Sequence, residues 1–584
     1  MTDLATLPPP AAPPAVKETK AQKAERLKLA KNPWEAWDEV RQFAREGRAA
    51  VLKEWAEFYF KWWGVYTQGD GAGVTGGKDG VGKATEYFMM RIGLPNGLLT
   101  SHQLRVIGEL TKKHARNLAD ITTRQNIQLH WLTIEALPEV VDALTAIGLS
   151  PKGACGDVLR NVTGCPLAGL LTHGPAGHEL IDASPLAVEV AHKLTANPEF
   201  YNLPRKFKVS VTGCPLWCSY PEINDVALTA IKRGDEVGYT LRVGGGLSTE
   251  PHIAVRIPAF IPQDKAVEVV EAVLRIFKEQ TELRENRTRA RIKYLFMRHG
   301  WTAESMLAAI EEKLGYKFDP SPVSEDVVPD DVYRDHIGVT PQRQPGLSAI
   351  GASVLGGRLT GEQLVQLADL AEQFGDGNLR ATIMQNILVA NVPNARTRDA
   401  VHRLGEIGLR VEVSPFWRGA IACTGTEFCK LAIAETKAFS KWLTGEMEDR
   451  LPAFDQQIKL HVTGCTNSCG QSWIADIGLE ARRSSATASW SMPSTSASAG
   501  PLANMRASRA RSASAPPPRT APTPSSACCA PTSPRALPAK TSAPTSPAPT
   551  MNPFAPSSPA PPSPPSNATL PPLAAATSWK HNGL

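Results

Sequence analysis

Between Leu99 and Leu149 the apolar positions change period twice. In LTSHQLRVIGELTKKHA, Leu104, Ile107 and Leu110 recur at helical spacing, which gives one apolar and one polar face. ADITTRQNIQLHWLTI then alternates as a strand does, and LPEVVDALTAIGL returns to the helical period. The pattern predicts a loop, an amphipathic helix, a short β run and a second helix. Parts of this text recur at a constant offset of 260 residues. Leu99-Thr100 with Gln103-Leu104 returns as Leu359-Thr360 with Gln363-Leu364, Gln125-Asn126-Ile127 as Gln385-Asn386-Ile387, and Ile147-Gly148-Leu149 as Ile407-Gly408-Leu409. One offset held across three matches implies a duplicated pair of domains of α+β class, with helices packed on mainly antiparallel sheet.

A Trp-rich helical segment (NPWEAWDEV, then LKEWAEFYFKWWGVYTQ) precedes the first repeat. Ahead of it, residues 1–20 are Pro/Ala-rich and expected to be disordered. They hold no apolar run that would serve as a signal peptide, and no stretch approaches a membrane span. A cytoplasmic, non-membrane protein is expected, with thiols rather than disulfides. The net charge of +6 is uneven: from Arg483 onward there are eight Lys/Arg and no Asp or Glu, so residues 1–482 carry about −2. A slightly acidic body argues against a nucleic-acid partner.

Chemistry concentrates in four cysteines, Cys423-x5-Cys429 in ACTGTEFCKLA and Cys465-x3-Cys469 in HVTGCTNSCGQ. Two tight pairs of thiolates suit a metal centre, each pair offering two sulfurs. The C-x2-C spacing of zinc ribbons and any Cys/His alternation are absent here, which ranks zinc below an iron–sulfur cluster. Four buried thiols or two disulfides are the alternatives.

The C-x5-C and TGC-x3-CG elements resemble the cluster signature of the sirohaem-dependent nitrite and sulfite reductases, and the resemblance runs from about Trp34 to Glu480. It implies two ferredoxin-like half-domains and two cofactor-binding domains about a pseudo-twofold axis, with sirohaem in the cleft between them. It implies further that Cys423, Cys429, Cys465 and Cys469 hold a 4Fe-4S cluster, and that Cys469 is shared with the sirohaem iron. Sirohaem carries eight carboxylates and the substrates are anions, so the pocket must concentrate cations. Arg91, Arg160, Lys206 and Lys208 match the family's active-site cations. As a strand, PRKFK would point both lysines to one face. The arginines are assigned to binding and the lysines to proton delivery. Arg124, Gln125 and Asn126, with Gln385 and Asn386, match contacts to sirohaem carboxylates. Gly244-Gly245-Gly246 matches a loop whose N–H groups approach the macrocycle. In RENRTRARIKY, alternate residues Arg287, Arg289, Arg291 and Lys293 could face the cofactor from a strand.

The chain departs from the family twice. Its first half holds Cys155, Cys165, Cys214 and Cys218, read here as a relic of the duplicated cluster site with two buried pairs of thiols; a second metal site is the sharper reading. After Glu480 the text turns abruptly to Ser, Ala, Pro and Thr without an apolar period, where the family would have further strands and a second Gly-rich loop. The expected layout is thus 1–30 disordered, 31–155 first half-domain with the helical entry segment, and 156–335 first sirohaem/4Fe-4S-type domain. Then come 336–415 second half-domain, 416–480 an incomplete second cofactor domain, and 481–584 a low-complexity tail.

The resemblance implies a monomeric, assimilatory enzyme that passes six electrons, taken from ferredoxin, to sulfite or nitrite. Lys208 leans it to sulfite, since plant-type nitrite reductases tend to carry Asn there. No GxGxxG or flavin motif offers direct access to NAD(P)H. The rival reading is an inactive, truncated paralogue that only binds cluster or sirohaem. A frame shift in the gene accounts for the abrupt tail better than a genuine disordered extension does. Reading the coding sequence around codon 480 in the other two frames should return alternating apolar residues and a Gly-rich loop; open Ser/Pro text in all frames would refute the shift.

Overall fold

The computed structural model describes residues 18–68, 87–171, 179–214, 216–321, 335–483 and 488–491. These residues form four sheets in two matched pairs. In the first half-domain the order is Val65–Thr67, Phe88–Ile92, Ile127–Leu132, Ala119–Ile121 and Arg358–Leu359; in the second it is Gly338–Pro341, Leu347–Ala352, Ile387–Pro393, Asn378–Ala381 and Leu98–Thr100. Each sheet therefore ends on a strand borrowed from the other half. Arg358–Leu359 pairs antiparallel with Ala119–Ile121, and Leu98–Thr100 with Asn378–Ala381.

The residues that repeat in sequence are the ones that make this exchange. Thr100 and Thr360 each cap the helix that follows, in capping boxes closed by Gln103 and Gln363. The same glutamines donate to Ile147 O and Ile407 O, both at 3.0 Å. Gln125 Nε2 donates to Asn96 O (3.1 Å) and, across the axis, to Ala381 O (3.0 Å), while its Oε1 accepts from Gly164 N (2.9 Å). Gln385 mirrors it, with Nε2 on Ile121 O (3.1 Å) and Oε1 accepting from Ala422 N (3.0 Å). Asn126 Oδ1 accepts from Leu94 N and Asn386 Oδ1 from Val354 N, again 260 residues apart.

The other two sheets carry the cysteines. In one, Thr163–Gly164, Val209–Thr212 and Val226–Arg233 run parallel, followed by antiparallel Glu236–Val243 and Val255–Ile261. In the other, Ala420–Ala422, Leu460–Thr463 and Ile477–Arg483 run parallel, followed by antiparallel Ala488–Ser491. The fold thus continues past residue 480 as a hairpin, although its last strand spans 4 residues where its counterpart Glu236–Val243 spans 8. The rest of the expected tail lies outside the described residues.

The helix Ser101–His114 buries Leu104, Ile107 and Leu110, and Ala136–Ala146 is the second helix, both as the periodicity predicts. Three expectations are corrected. ADITTRQNIQLHWLTI is a hairpin rather than one strand, because TTRQ turns with Gln125 in the left-handed region (φ 56°). The segment expected to be disordered to residue 30 contains the helix Lys20–Ala30, capped by Thr19 and buried along Ala24 and Leu27; residues 1–17 lie outside the described residues. The basic run is a short turn at Arg287–Arg289 and a helix at Lys293–Arg298, not a strand.

The entry segment seals the first half-domain. Trp34, Trp55, Trp62 and Trp63 are buried, and three of them place the indole N–H on main-chain carbonyls: Trp34 on Trp62 O, Trp63 on Pro33 O, and Trp62 on Tyr201 O. Asp120, 1% exposed, holds the borrowed strand by charge. It accepts from Arg358 Nε at 3.0 Å and His130 Nε2 at 3.0 Å, with Lys437 Nζ at 3.4 Å. No helix among the described residues is long and apolar enough to cross a membrane.

Gln125→Ala and Gln385→Ala should each leave buried main-chain groups unpaired and cost about 1–3 kcal/mol, by nearly equal amounts. Urea unfolding of each variant checks this, and a silent variant on one side only would break the assigned symmetry.

Candidate active site

In both cysteine-bearing sheets the thiols sit just past the carboxyl ends of adjacent parallel strands. Cys423 directly follows Ala420–Ala422, and Cys465 lies two residues past the end of Leu460–Thr463. Parallel neighbours point their ends the same way, so the loops that leave them converge. Cys423 Sγ accepts the Gly464 N–H at 3.2 Å and Cys465 Sγ receives Asn467 Nδ2 at 3.5 Å. Burial pushes the Cys429 thiol up to about 12 and the Cys465 thiol up to about 11, and the charges of Cys469 and Cys423 add to both shifts. The four sulfurs thus share one electrostatic neighbourhood. Among the described residues no three of them lie within 4.8 Å of one another. That spacing is too open for one ion. Cys469 is exposed, whereas its three partners are half-buried.

The expected cations face the same cleft. Lys206 and Lys208 flank buried Phe207, so both point to one side as the alternation predicts. Burial lowers the pKa of each ammonium; Arg291 is the next cause for Lys206, and Lys206 is the next for Lys208. Cys469 lies within electrostatic reach of both Lys206 and Arg91. Arg91 is fixed on Gln128 Oε1 (2.6 Å from Nη2) and on Cys155 Sγ (3.2 Å). Arg160 is fixed on Gly156 O (2.7 Å) and Ala154 O (3.3 Å). Arg124 donates to Asn224 Oδ1 (2.8 Å) and Asn161 O (2.6 Å), while its Nε is buried without a partner among the described residues. Burial weighs against its charge, Asp225 supports it, and Arg160, Arg291 and Arg91 weigh against it again. A guanidinium does not give up its proton, so this field calls for an anion.

Three groups of expected cofactor contacts are also engaged within the protein. The main-chain N–H groups of Gly244, Gly245 and Gly246 are already donated, to Asp225 O, Asn224 O and His252 O. The glycines serve close packing instead: a Cβ on Gly245 would meet Glu222 O at 2.5 Å, and Gly244 (φ 86°) faces the Phe296 ring. Gln125 and Gln385 donate their amides to main-chain carbonyls across the axis, and Asn126 and Asn386 accept main-chain N–H groups of their own halves. Of the TTRQN group, only Arg124 has a buried donor without a partner among the described residues.

Two acids that sequence reasoning did not single out organise the cations. Asp225, fully buried, takes Arg291 in a two-point pair (both 2.8 Å) and also accepts the Lys208 main-chain N–H at 2.8 Å. Asp157 pairs with Arg205 (3.1 Å) and Arg287 (2.5 Å). Their only signal in sequence is a carboxylate beside a motif. The first-half cysteines do not form the expected two pairs: Cys155 stands apart with Arg91 and the Tyr66 hydroxyl, while Cys165, Cys214 and Cys218 meet one another.

The family pattern described as the nitrite and sulphite reductase 4Fe-4S domain matches residues 155–318, and the nitrite/sulfite reductase ferredoxin-like half domain matches 81–147 and 340–407. Sulfite reductase (ferredoxin) 1 of Mycolicibacterium paratuberculosis is 35% identical over 470 residues, 78% of this chain and 81% of the relative. The assimilatory ferredoxin-dependent nitrite reductase of Haloferax mediterranei is 36% identical over 475 residues, 76% and 77% of the two chains. The ferredoxin–nitrite reductase of Synechococcus elongatus is 34% identical over 467 residues, 79% and 86%. Among solved structures, that of the Mycobacterium tuberculosis NirA protein superposes with a TM-score of 0.74 at 34% identity, covering 80% of this chain and 85% of that one.

Burial works to raise the Asp157 pKa, but Arg287, Arg205 and Lys28 overcome it and hold the carboxyl well below the usual range. Its contribution to stability is complete above the unfolded-state value of about 4 and is lost as pH falls below it. Urea midpoints measured against pH should fall steeply on the acid side in the native chain. Asp157→Asn should flatten that limb and cost about 3–5 kcal/mol at neutral pH.

Proposed function

This chain belongs to the nitrite and sulphite reductase family, and on that footing we propose that it reduces sulfite to sulfide with six electrons from a ferredoxin, nitrite being the poorer substrate. It is an oxidoreductase whose cofactors are sirohaem and a 4Fe-4S cluster. Cys423, Cys429, Cys465 and Cys469 would hold the cluster, and Cys469, the exposed member, would be the thiolate shared with sirohaem. When bound, the coupled pair would supply single-electron storage and an iron that takes up the substrate.

The chain's own residues do the rest. Arg91 and Arg160, each anchored by two acceptors, orient the oxyanion. Arg124 offers its buried Nε to a carboxylate of the macrocycle. Lys206 and Lys208 donate protons from Nζ to the oxygens that leave as water, a task suited to ammonium groups whose pKa burial has lowered.

The excess of positive charge around Lys208 carries the choice of sulfite. Sulfite offers three oxygens and up to two charges, nitrite two oxygens and one charge, so the dianion relieves more of the field. The protein is proposed to act as a cytoplasmic monomer without disulfides.

Lys208→Asn should lower kcat/KM for sulfite at least about tenfold while leaving nitrite turnover equal or higher. Lys206→Met should lower kcat more than it raises KM, as the loss of a proton donor does. Steady-state rates with both substrates and reduced ferredoxin decide, and a native preference for nitrite would defeat the proposal.

A further inference from the structure

We propose that Cys165, Cys214, Cys218 and His336 bind a single zinc(II) ion, in a site separate from the four-thiol centre. Cys165 Sγ, Cys218 Sγ and a His336 ring nitrogen all lie within 4.8 Å of one another, and Cys165 Sγ is 4.0 Å from His336 Nε2. The Cys165 thiol is in hydrogen-bonding contact with both Cys214 and Cys218, so Cys214, which lies outside that 4.8 Å grouping, is placed to complete the set by a side-chain shift. A tetrahedral zinc ion, with bonds of about 2.3 Å to sulfur and about 2.0 Å to nitrogen, sets its ligands roughly 3.3–3.8 Å apart. Cys165, Cys218 and His336 need to contract by only a few tenths of an ångström to about an ångström to reach that, and Cys214 has further to move. An iron–sulfur cluster would have to force it apart. Spacing agrees: Cys214-x3-Cys218 lies within the two-to-four-residue gap of structural zinc sites, and Cys3His is among their donor sets.

The surroundings are those of a closed site. All three thiols are buried, in a shell of Leu167, Leu170, Leu216, Ala349 and Leu388. Three thiolates and one neutral imidazole leave a net charge of −1 on a zinc complex, and the buried Arg380 guanidinium lies within electrostatic reach of Cys165. Main-chain and hydroxyl donors serve the sulfur of Cys214, from Leu216 N–H and from Thr212 Oγ1 at 3.8 Å.

His336 supplies the independent observation. It is a non-glycine residue in the left-handed region, φ 61°, at the start of the second half-domain. Its neighbours fix that conformation: Asp335 accepts the Ile337 N–H (2.7 Å) and pairs with Arg418 (2.8 Å), and Gly351 has no room for a Cβ, which would meet His336 O at 1.8 Å. Held strain at a residue whose ring lies against the Cys165 and Cys218 thiols points to a purpose. The ion would tie the strand ends of the first half to the first residues of the second, a structural role distinct from electron transfer.

The test is metal content by mass spectrometry on the full chain, purified anaerobically with its cofactors, with iron counted beside zinc. About one zinc per chain is expected, falling at least about tenfold in Cys218→Ser and in His336→Ala with iron unchanged. Cys465→Ser should do the reverse, losing iron and keeping zinc. Because Cys218→Ser could misfold, native protein grown with cobalt gives a second reading: sulfur-to-cobalt charge-transfer bands and tetrahedral visible bands that disappear in the milder His336→Ala. Absence of zinc and cobalt from native protein, zinc that persists in both variants, or a second complement of cluster iron would each overturn the assignment. Failure of the reductase assignment would show as missing iron with zinc intact.

Discussion

The molecule depends on one trade between its halves: each ferredoxin-like sheet is completed by a strand from the other. Neither Arg358–Leu359 nor Leu98–Thr100 is long enough to hold its place by ladder hydrogen bonds alone, since they span 2 and 3 residues. What holds them is a set of side-chain bonds duplicated about the axis. Gln125 and Gln385 are the centre of it. Each reaches a carbonyl of the opposite half and receives an N–H from the end of a cysteine-bearing sheet, at Gly164 or Ala422. The pins therefore fix the half-domains to each other and also place the loops that carry Cys165 and Cys423.

Charge follows from that placement. A cleft bounded by Arg91, Arg124, Arg160, Lys206 and Lys208 would repel itself apart if its cations were free to move. Main-chain carbonyls, Gln128, Asp225 and Asp157 anchor the guanidiniums or the backbone between them. Two carboxylates do not neutralise such a set, and the unpaired Arg124 Nε sits where the deficit is felt. An anionic macrocycle and an oxyanion substrate supply the missing charge. Binding energy there comes from relieving a field the fold has already built, so little of it is spent on reorganisation.

Much of this was legible in the sequence, and the failures have physical causes. The amphipathic helix at Leu104, Ile107 and Leu110, the duplication and the convergence of the four thiols all rest on patterns that local structure obeys directly. Gln125 and Gln385 were visible as repeats, but a repeated polar residue looks the same whether it contacts a cofactor or a distant carbonyl. Gly244-Gly245-Gly246 shows the same ambiguity, since glycine is demanded equally by an approaching ligand and by an approaching backbone. The basic run alternates in sequence, yet Arg291 is drawn to buried Asp225 and Lys293 begins a helix. His336 gave no signal, because a single histidine far from the cysteines acquires meaning only when the second half-domain folds back.

The two thiol sets show how one strand-end geometry divides into two uses. Both lie past the ends of parallel strands in sheets of the same order, so backbone topology does not separate them. Exposure and spacing do. In the second half the four sulfurs stand apart and Cys469 opens on the cationic cleft, the condition for passing an electron onward to a bound partner. In the first half the three thiols are sealed under leucines, drawn close, and completed by an imidazole with no redox role of its own. Thiols drawn this close fit a single redox-inert ion rather than a four-iron cluster.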